Sequence, residues 1–279
     1  MKALEIINFG ANELKKNNII SSRLDSELLL SNILNKKREE ILTNLNQEID
    51  AINLEKYKKL INRRLNNEPL AYITKKREFW SRDFFVNKDT LIPRPETELM
   101  VENLINIFRG KKITILDIGT GSGCILISLM SELDRAYGLG IDISKKALAI
   151  AEKNSFKLKN KKIRFFNKSV DANINQKFDL VVSNPPYIKS IEIKSLSDDI
   201  KRYEPRIALD GGNDGLDLIK KVIYKAKYSL KIKGKLAIEI GNGQFKKVSK
   251  ILIKNKFKID RTIKDYDDNV RCIISTYLG

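Results

Sequence analysis

Ile113-Thr114-Ile115-Leu116-Asp117-Ile118-Gly119-Thr120-Gly121-Ser122-Gly123 begins as an apolar run and ends in three alternating glycines, and Cys124 to Met130 then continues with helix-like texture. A buried strand that passes through closely spaced glycines into a helix lets the backbone approach a ligand and aims N–H groups at its anionic part. The spacing excludes one class at once, because a dinucleotide fingerprint places its third glycine one residue later. Gly138-Leu139-Gly140-Ile141-Asp142 reads as the next strand, ending in a carboxylate 19 residues beyond Gly123. A carboxylate at that distance can accept hydrogen bonds from both ribose hydroxyls of an adenosine. Either feature alone is satisfied by a turn or a solvated acid, whereas the two in this order point to a nucleoside-bearing cofactor.

Outward from that core, Lys145 to Lys159 reads as a helix, Ile163 to Phe166 as a third strand and Phe178 to Ser183 as a fourth. Leu216 to Leu230 is predicted to be a helix, Lys235 to Ile240 a fifth strand and Val270 to Tyr277 the last. This alternation is that of an α/β, doubly wound sheet. The fourth strand breaks into Ser183-Asn184-Pro185-Pro186-Tyr187, which places a stiff, non-helical loop at a strand's carboxyl end, where open α/β sheets bind ligands. Neither proline has a hydrogen on nitrogen, so the segment is rich in acceptors, and Asn184 adds an amide oxygen. Two such acceptors would hold a planar NH₂ group in one orientation, with Tyr187 placed to stack on it. The plainer reading is a strand-ending turn with a surface tyrosine. A long polar loop follows Tyr187, through Glu204-Pro205-Arg206 to Gly211-Gly212, with the reach to cover a cleft.

Upstream, residues 1 to 75 read as a small helical bundle, with an apolar rhythm at Leu4, Ile7 and Leu14, then Leu24, Leu28, Leu29 and Ile33, then Leu54 to Leu65. No catalytic constellation lies there, so its functional reading is a substrate-docking domain. Residues 76 to 95 read as a hairpin and linker, with Phe79-Trp80 and Phe84-Phe85-Val86 flanking Ser81-Arg82-Asp83. Residues 96 to 279 form the remaining domain, opening on a helix through Leu99 to Phe108 with acids at its positive end.

Composition narrows the chemistry. The 279 residues contain no histidine, which removes His-based triads, His-ligated metal sites and imidazole bases. Cys124 and Cys272 have no metal-ligand spacing and sit in apolar runs, so they read as buried thiols, and no metal is expected. No apolar run is long enough for a membrane span and no signal segment opens the chain, so a cytoplasmic protein without membrane contact is expected. The formal charge of +18 suits an anionic partner, but the lysines are scattered, and no sequence-specific nucleic-acid binding is expected.

The chain resembles the release-factor glutamine methyltransferases along nearly its whole length. The likeness lies in Glu68-Pro69-Leu70-Ala71-Tyr72-Ile73, Glu78-Phe79-Trp80, Leu91 to Glu98, the glycine loop, Ser183 to Ile188, Glu204 to Leu216 and Ile238-Glu239-Ile240-Gly241. It implies a Rossmann-like methyltransferase sheet using S-adenosylmethionine, without metal, to methylate the glutamine amide nitrogen N5 of a Gly-Gly-Gln motif in peptide chain release factors. It implies catalytic Asn184, Pro185 and Tyr187, which with Pro186 also bind the substrate. Cofactor contacts are implied for Gly119, Thr120, Gly121, Ser122, Gly123, Asp142, Ser169, Val170 and Asn184. Ser169 stands where many relatives have aspartate, and Val170 where they often have tryptophan. Asn-Pro-Pro-Tyr alone is shared with adenine and cytosine amino-methyltransferases, which makes a nucleic-acid amino-methyltransferase the alternative; a non-catalytic ribosome-associated protein would need neither loop.

Overall fold

In the computed structural model, which describes residues 1–160, 162–265 and 267–279, the chain divides into two units. The smaller holds Met1–Lys76 together with Ser197–Tyr203. Its helices are α1 (Ala3–Lys16), α2 (Ser22–Leu34), α3 (Arg38–Leu42), α4 (Ala51–Leu65) and α5 (Leu70–Thr74). Ile6, Ile7, Leu14, Leu29, Leu30 and Ile61 fill its core, whereas Leu4 and Leu24 of the expected apolar rhythm are exposed. Asp50 caps α4 by accepting from the Asn53 N–H at 2.7 Å. Two buried acids are neutralised locally: Asp25 by Arg64 at 2.7 Å, and Glu27 by Arg23 and Arg38.

Gly10 lies mid-helix in α1, where glycine normally costs about 1 kcal/mol relative to alanine. The buried Tyr57 side chain occupies the space a Cβ would need, and its hydroxyl is held by Ser26 at 2.7 Å. Gly10→Ala therefore overpacks this crossing and is expected to destabilise the protein by about 1–3 kcal/mol, read as a lower denaturation midpoint in urea. An unchanged midpoint would mean that Tyr57 swings away freely.

The larger unit contains Arg77–Leu196 and Glu204–Gly279. A hairpin of β1 (Lys76–Phe79) and β2 (Arg82–Phe85) comes first, then α6 (Pro95–Phe108), β3 (Thr114–Ile118), α7 (Cys124–Glu132), β4 (Tyr137–Asp142), α8 (Lys145–Lys157), β5 (Ile163–Asn167) and β6 (Phe178–Ser183). After α9 (Asp198–Tyr203), which groups with the smaller unit, come α10 (Asp217–Ser229), β7 (Leu230–Glu239), α11 (Phe245–Lys254), β8 (Phe257–Lys264) and β9 (Val270–Tyr277). Seven strands form one sheet in the order β5-β4-β3-β6-β7-β9-β8, parallel except for β9, which is antiparallel to both neighbours. Side chains alternate across it. Ile115, Leu180, Val182 and Ile274 pack with α6, α7 and the hairpin's Phe79 and Phe84, while Leu116, Val181, Leu236 and Ile273 pack with α10 and α11. The strand order reverses between β3 and β6, and at that switch point the loops after both strands open side by side.

Three local expectations change. The fifth strand begins at Leu230 instead of Lys235, and the preceding helix ends at Ser229. The polar loop after Tyr187 contains α9 and two 3-10 turns, at Glu192–Ser195 and Arg206–Ala208. Cys272 is buried as expected, but Cys124 is only partly so. Among the described residues no helix is long and apolar enough to cross a membrane, and no group of three or more His, Cys, Asp or Glu is placed to hold a metal ion.

Candidate active site

At the carboxyl edge of β3, β4 and β6 lies a cavity of about 690 Å³, within the range of small-molecule sites. It brings together Gly119, Thr120, Gly121, Ser122, Asp142, Ser169, Val170, Asn184, Pro185 and Pro186. Gly123 and Tyr187 stand just behind this lining. Gly123 has φ +80° and starts α7, and Tyr187 packs into the α10 side of the core.

Gly119 and Gly121 have φ of +72° and +56°, which side chains rarely adopt. A Cβ on either would meet nothing closer than 4.0 Å, so the loop offers bare backbone to open space. Its N–H groups are less available than the sequence suggests. Those of Gly119 and Thr120 bond the Ile141 carbonyl, and that of Gly121 bonds Asp142 Oδ2 at 2.9 Å. Asp142 Oδ1 accepts from Ser144 N at 2.8 Å, so this carboxylate braces the loop and the start of α8 at once. Each of its oxygens keeps a second lone pair. Burial raises its pKa above the ordinary carboxylate range, opposed by these N–H bonds.

Asp117, at the end of β3, is fully buried and accepts from Thr120 Oγ1 at 2.7 Å. Burial, opposed by that bond and reinforced by Asp142, pushes its pKa to about 7 from 3.8. Folding thus favours its neutral form. The stability it contributes is complete below its unfolded pKa and is lost as pH rises through about 7. Asp117→Asn is expected to flatten part of the fall in melting temperature between about pH 4 and about pH 7. An undiminished slope in that variant would place the titration elsewhere.

The Asn-Pro-Pro-Tyr loop is held from both ends. Ser183 Oγ donates to the Ile118 carbonyl at 2.7 Å, tying β6 to β3. Gln244 Nε2 donates to the Tyr187 carbonyl at 2.9 Å and to that of Gly215 at 3.1 Å, while its Oε1 accepts from Gly241 N at 2.8 Å. Asn184 Nδ2 lies 3.4 Å from Thr97 Oγ1 in the first turn of α6. Thr97 donates to Glu239 Oε2 at 2.6 Å, and Tyr187 Oη donates to Glu239 Oε1 at 3.3 Å. Among the described residues nothing donates to Asn184 Oδ1 or to the Pro185 carbonyl. Glu239 is buried, and desolvation pushes its pKa to about 7 against the pull of Thr97, Tyr187 and Arg271. Across the cavity mouth, Glu204 accepts from Ile92 N at 3.2 Å and Arg94 Nη2 at 2.7 Å, which fixes the segment leading into α6.

Thr97, Glu239, Asp117 and the Arg94–Glu204 pair lie within stretches quoted above without a role of their own, and Gln244 lies outside them. One signal was present for Glu239: an acid set within the apolar strand Leu236-Ala237-Ile238-Glu239-Ile240, where an ionised group must find partners.

Residues 5–74 match the PrmC N-terminal domain family and residues 95–200 the methyltransferase small domain family. The release factor glutamine methyltransferase of Buchnera aphidicola subsp. Schizaphis graminum is 44% identical over 89% of this chain and 90% of its own. That of Fusobacterium nucleatum is 38% identical over 98% of this chain and 78% of its own. The bifunctional methyltransferase of Rickettsia typhi is 36% identical over 96% of this chain, which spans just over half, 56%, of that longer protein. Among solved structures, a methyltransferase from Pyrococcus furiosus superimposes with TM-score 0.54 at 19% identity, covering 78% of this chain and 98% of its own. A ribosomal protein L11 methylase from Lactobacillus delbrueckii subsp. bulgaricus gives 0.52 at 21%, covering 68% and 82%, and the two likenesses concern the fold. With 44% identity over about nine-tenths of each chain in one relative and 38% over nearly all of this chain in another, the chain belongs to the release factor glutamine methyltransferase family.

Proposed function

We propose that this chain methylates the side-chain amide nitrogen N5 of the glutamine in the Gly-Gly-Gln motif of peptide chain release factors, using S-adenosylmethionine. The observation that carries the reading is the pair of unengaged acceptors, Asn184 Oδ1 and the Pro185 carbonyl, beside a cavity floored by bare glycine backbone. The residues present fit the cofactor: Gly119 and Gly121 leave open space where side chains would intrude, Asp142 retains lone pairs for ribose hydroxyls, and Ser169 and Val170 line the same cavity. When bound, S-adenosylmethionine supplies a methyl group activated by its sulfonium charge.

The chain's own part is to orient the amide. An amide nitrogen is a poor nucleophile because its lone pair is shared with the carbonyl. Asn184 Oδ1 and the Pro185 carbonyl accept its two hydrogens, draw the nitrogen out of conjugation and fix the face it presents. Tyr187, behind the cavity lining, supports the loop through the bond of its hydroxyl to Glu239. Well-oriented reactants gain roughly 7–11 kcal/mol over the bimolecular reaction, so positioning is the largest contribution required here. After transfer the methylated nitrogen is acidic and releases one hydrogen to solvent, so no side chain has to act as base, which agrees with a sequence without histidine.

The helical unit is assigned to docking the protein substrate. Deleting residues 1–76 is expected to leave cofactor affinity within a small factor while methylation of an intact release factor collapses; equal efficiency would refute the docking role. The reaction itself is tested by incubating the protein with a release factor and labelled S-adenosylmethionine and locating the label by peptide mass spectrometry. Label on the Gly-Gly-Gln glutamine supports the proposal, and label only on an added nucleic acid would replace it with the amino-methylation of bases.

A further inference from the structure

Parallel pairing of β6 with β7 sets Ser183 opposite Ile238, so Asn184 and Glu239 leave the ends of adjacent strands side by side. Thr97 reaches both from α6. We infer that Glu239 is a positioning residue that decides which way the Asn184 amide faces, acting through the Thr97 hydroxyl. The inference rests on the proposed role of Asn184 Oδ1 as acceptor for the substrate amide.

A threonine hydroxyl has one proton to donate and lone pairs to accept with. An ionised carboxylate only accepts. With its proton on Glu239 Oε2 at 2.6 Å, Thr97 Oγ1 has only lone pairs for Asn184, so the Asn184 group turned toward it is the NH₂. Oδ1 must then face the other way, toward the space beside the Pro185 carbonyl where no described donor reaches it. A second acceptor bond, from Tyr187 Oη, keeps Glu239 in the same posture. If the group at position 239 donated to Thr97 instead, the hydroxyl would turn its proton to Asn184 and the amide would rotate. Two N–H donors would then confront the two N–H donors of the substrate. The carboxylate thus sets the polarity of a neighbouring side chain, as a buried aspartate sets the tautomer of a catalytic histidine.

The groups facing Glu239 are Thr97 and Glu96 from α6, Cys124 from α7, Tyr187 from the loop, and Arg271 and Cys272 from β9. Arg271 favours the carboxylate and Glu96 opposes it. Protonation of Glu239 would create a donor where the lock requires an acceptor, so turnover should fall as pH drops through about 7, the pKa to which burial raises this carboxyl.

The test uses the full-length protein with a release factor at saturating S-adenosylmethionine. Glu239→Leu, which leaves the Thr97 hydroxyl no acceptor at that position, and Thr97→Val are each expected to lower kcat about 10- to 100-fold, the usual loss when the partner of a reacting-site group is removed, with cofactor affinity little changed. Thr97→Ser, which restores the hydroxyl, recovers most of that loss. Because Glu239 acts through Thr97, the double variant should be no slower than Thr97→Val alone, and Thr97→Val should lose the acid limb of the pH profile. Additive losses in the double variant, or wild-type kcat and pH profile in Glu239→Leu, would overturn the lock. Orientation is also read without turnover, by solvent exchange of the Asn184 side-chain NH₂ protons in NMR spectra. Faster exchange in Glu239→Leu and Thr97→Val supports the lock, and unchanged exchange overturns it. Should the intact protein fail to methylate while these exchange rates change as expected, the proposed reaction falls and the lock stands.

Discussion

Asn184→Ala is expected to lower methyl-transfer turnover by about 10² to 10³, about 2.7–4 kcal/mol in the barrier, while leaving the melting temperature nearly unchanged. The asymmetry follows from what holds the loop. Asn184 contributes one long contact, 3.4 Å to Thr97, so its removal costs the fold little. The backbone around it stays fixed by the Ser183 bond to Ile118, by the Gln244 clamp on Tyr187 and by the buried Pro185. The reaction loses one of two preorganised acceptors, which is the kind of group whose deletion has this size of effect. Asn184→Asp is the sharper variant. It keeps an oxygen of similar shape, yet it has no N–H for Thr97, whose own proton is already on Glu239, and it adds negative charge near a cationic cofactor. Turnover should fall while cofactor affinity holds or rises. If Asn184→Ala instead lowered stability and cofactor affinity together, with single-turnover methylation of the saturated complex intact, the loop would be structural and the acceptor mechanism wrong.

Asp142→Ala is expected to weaken S-adenosylmethionine binding by roughly 1.5–3 kcal/mol, on the order of 10- to 150-fold, because it removes charge-assisted hydrogen bonds to the ribose. The structure adds a second contribution. Asp142 also braces Gly121 and Ser144, so its loss loosens the loop that the cofactor must meet. Asp142→Asn separates the two, since it retains one acceptor but turns an NH₂ toward a backbone N–H. Both variants should bind more weakly by calorimetry, with a smaller loss of melting temperature than of affinity. Unchanged affinity in Asp142→Ala would move the cofactor site away from β4.

Much of this protein is legible from local pattern. The glycine loop after β3, the acid ending β4 and the Asn-Pro-Pro-Tyr break after β6 were all readable in sequence, because turn chemistry and period-two apolar runs act over a few residues. The cavity gathers the loop residues with Ser169 and Val170 because each lies at a strand's carboxyl end, and parallel strands place all such ends on one edge. Short elements without an apolar stripe escaped. No residue of α9 is buried, so it leaves no periodic signal, and in the first part of β7 Lys231, Ile232 and Lys233 are exposed between buried Leu230 and Gly234.

What only the tertiary structure decided is which distant polar groups meet. Thr97, Tyr187 and Glu239 lie far apart in the chain, and no local pattern around any of them says that the three meet. Strand order β3-β6-β7 and the register of Ser183 against Ile238 bring them to one buried cluster, where a single carboxylate must be shared by two hydroxyls. Sheet order and register depend on packing summed over the whole core, and no short stretch of sequence records that sum. The sequence by itself therefore determined where the Asn-Pro-Pro-Tyr loop leaves its strand, and the fold decided which buried groups surround Asn184.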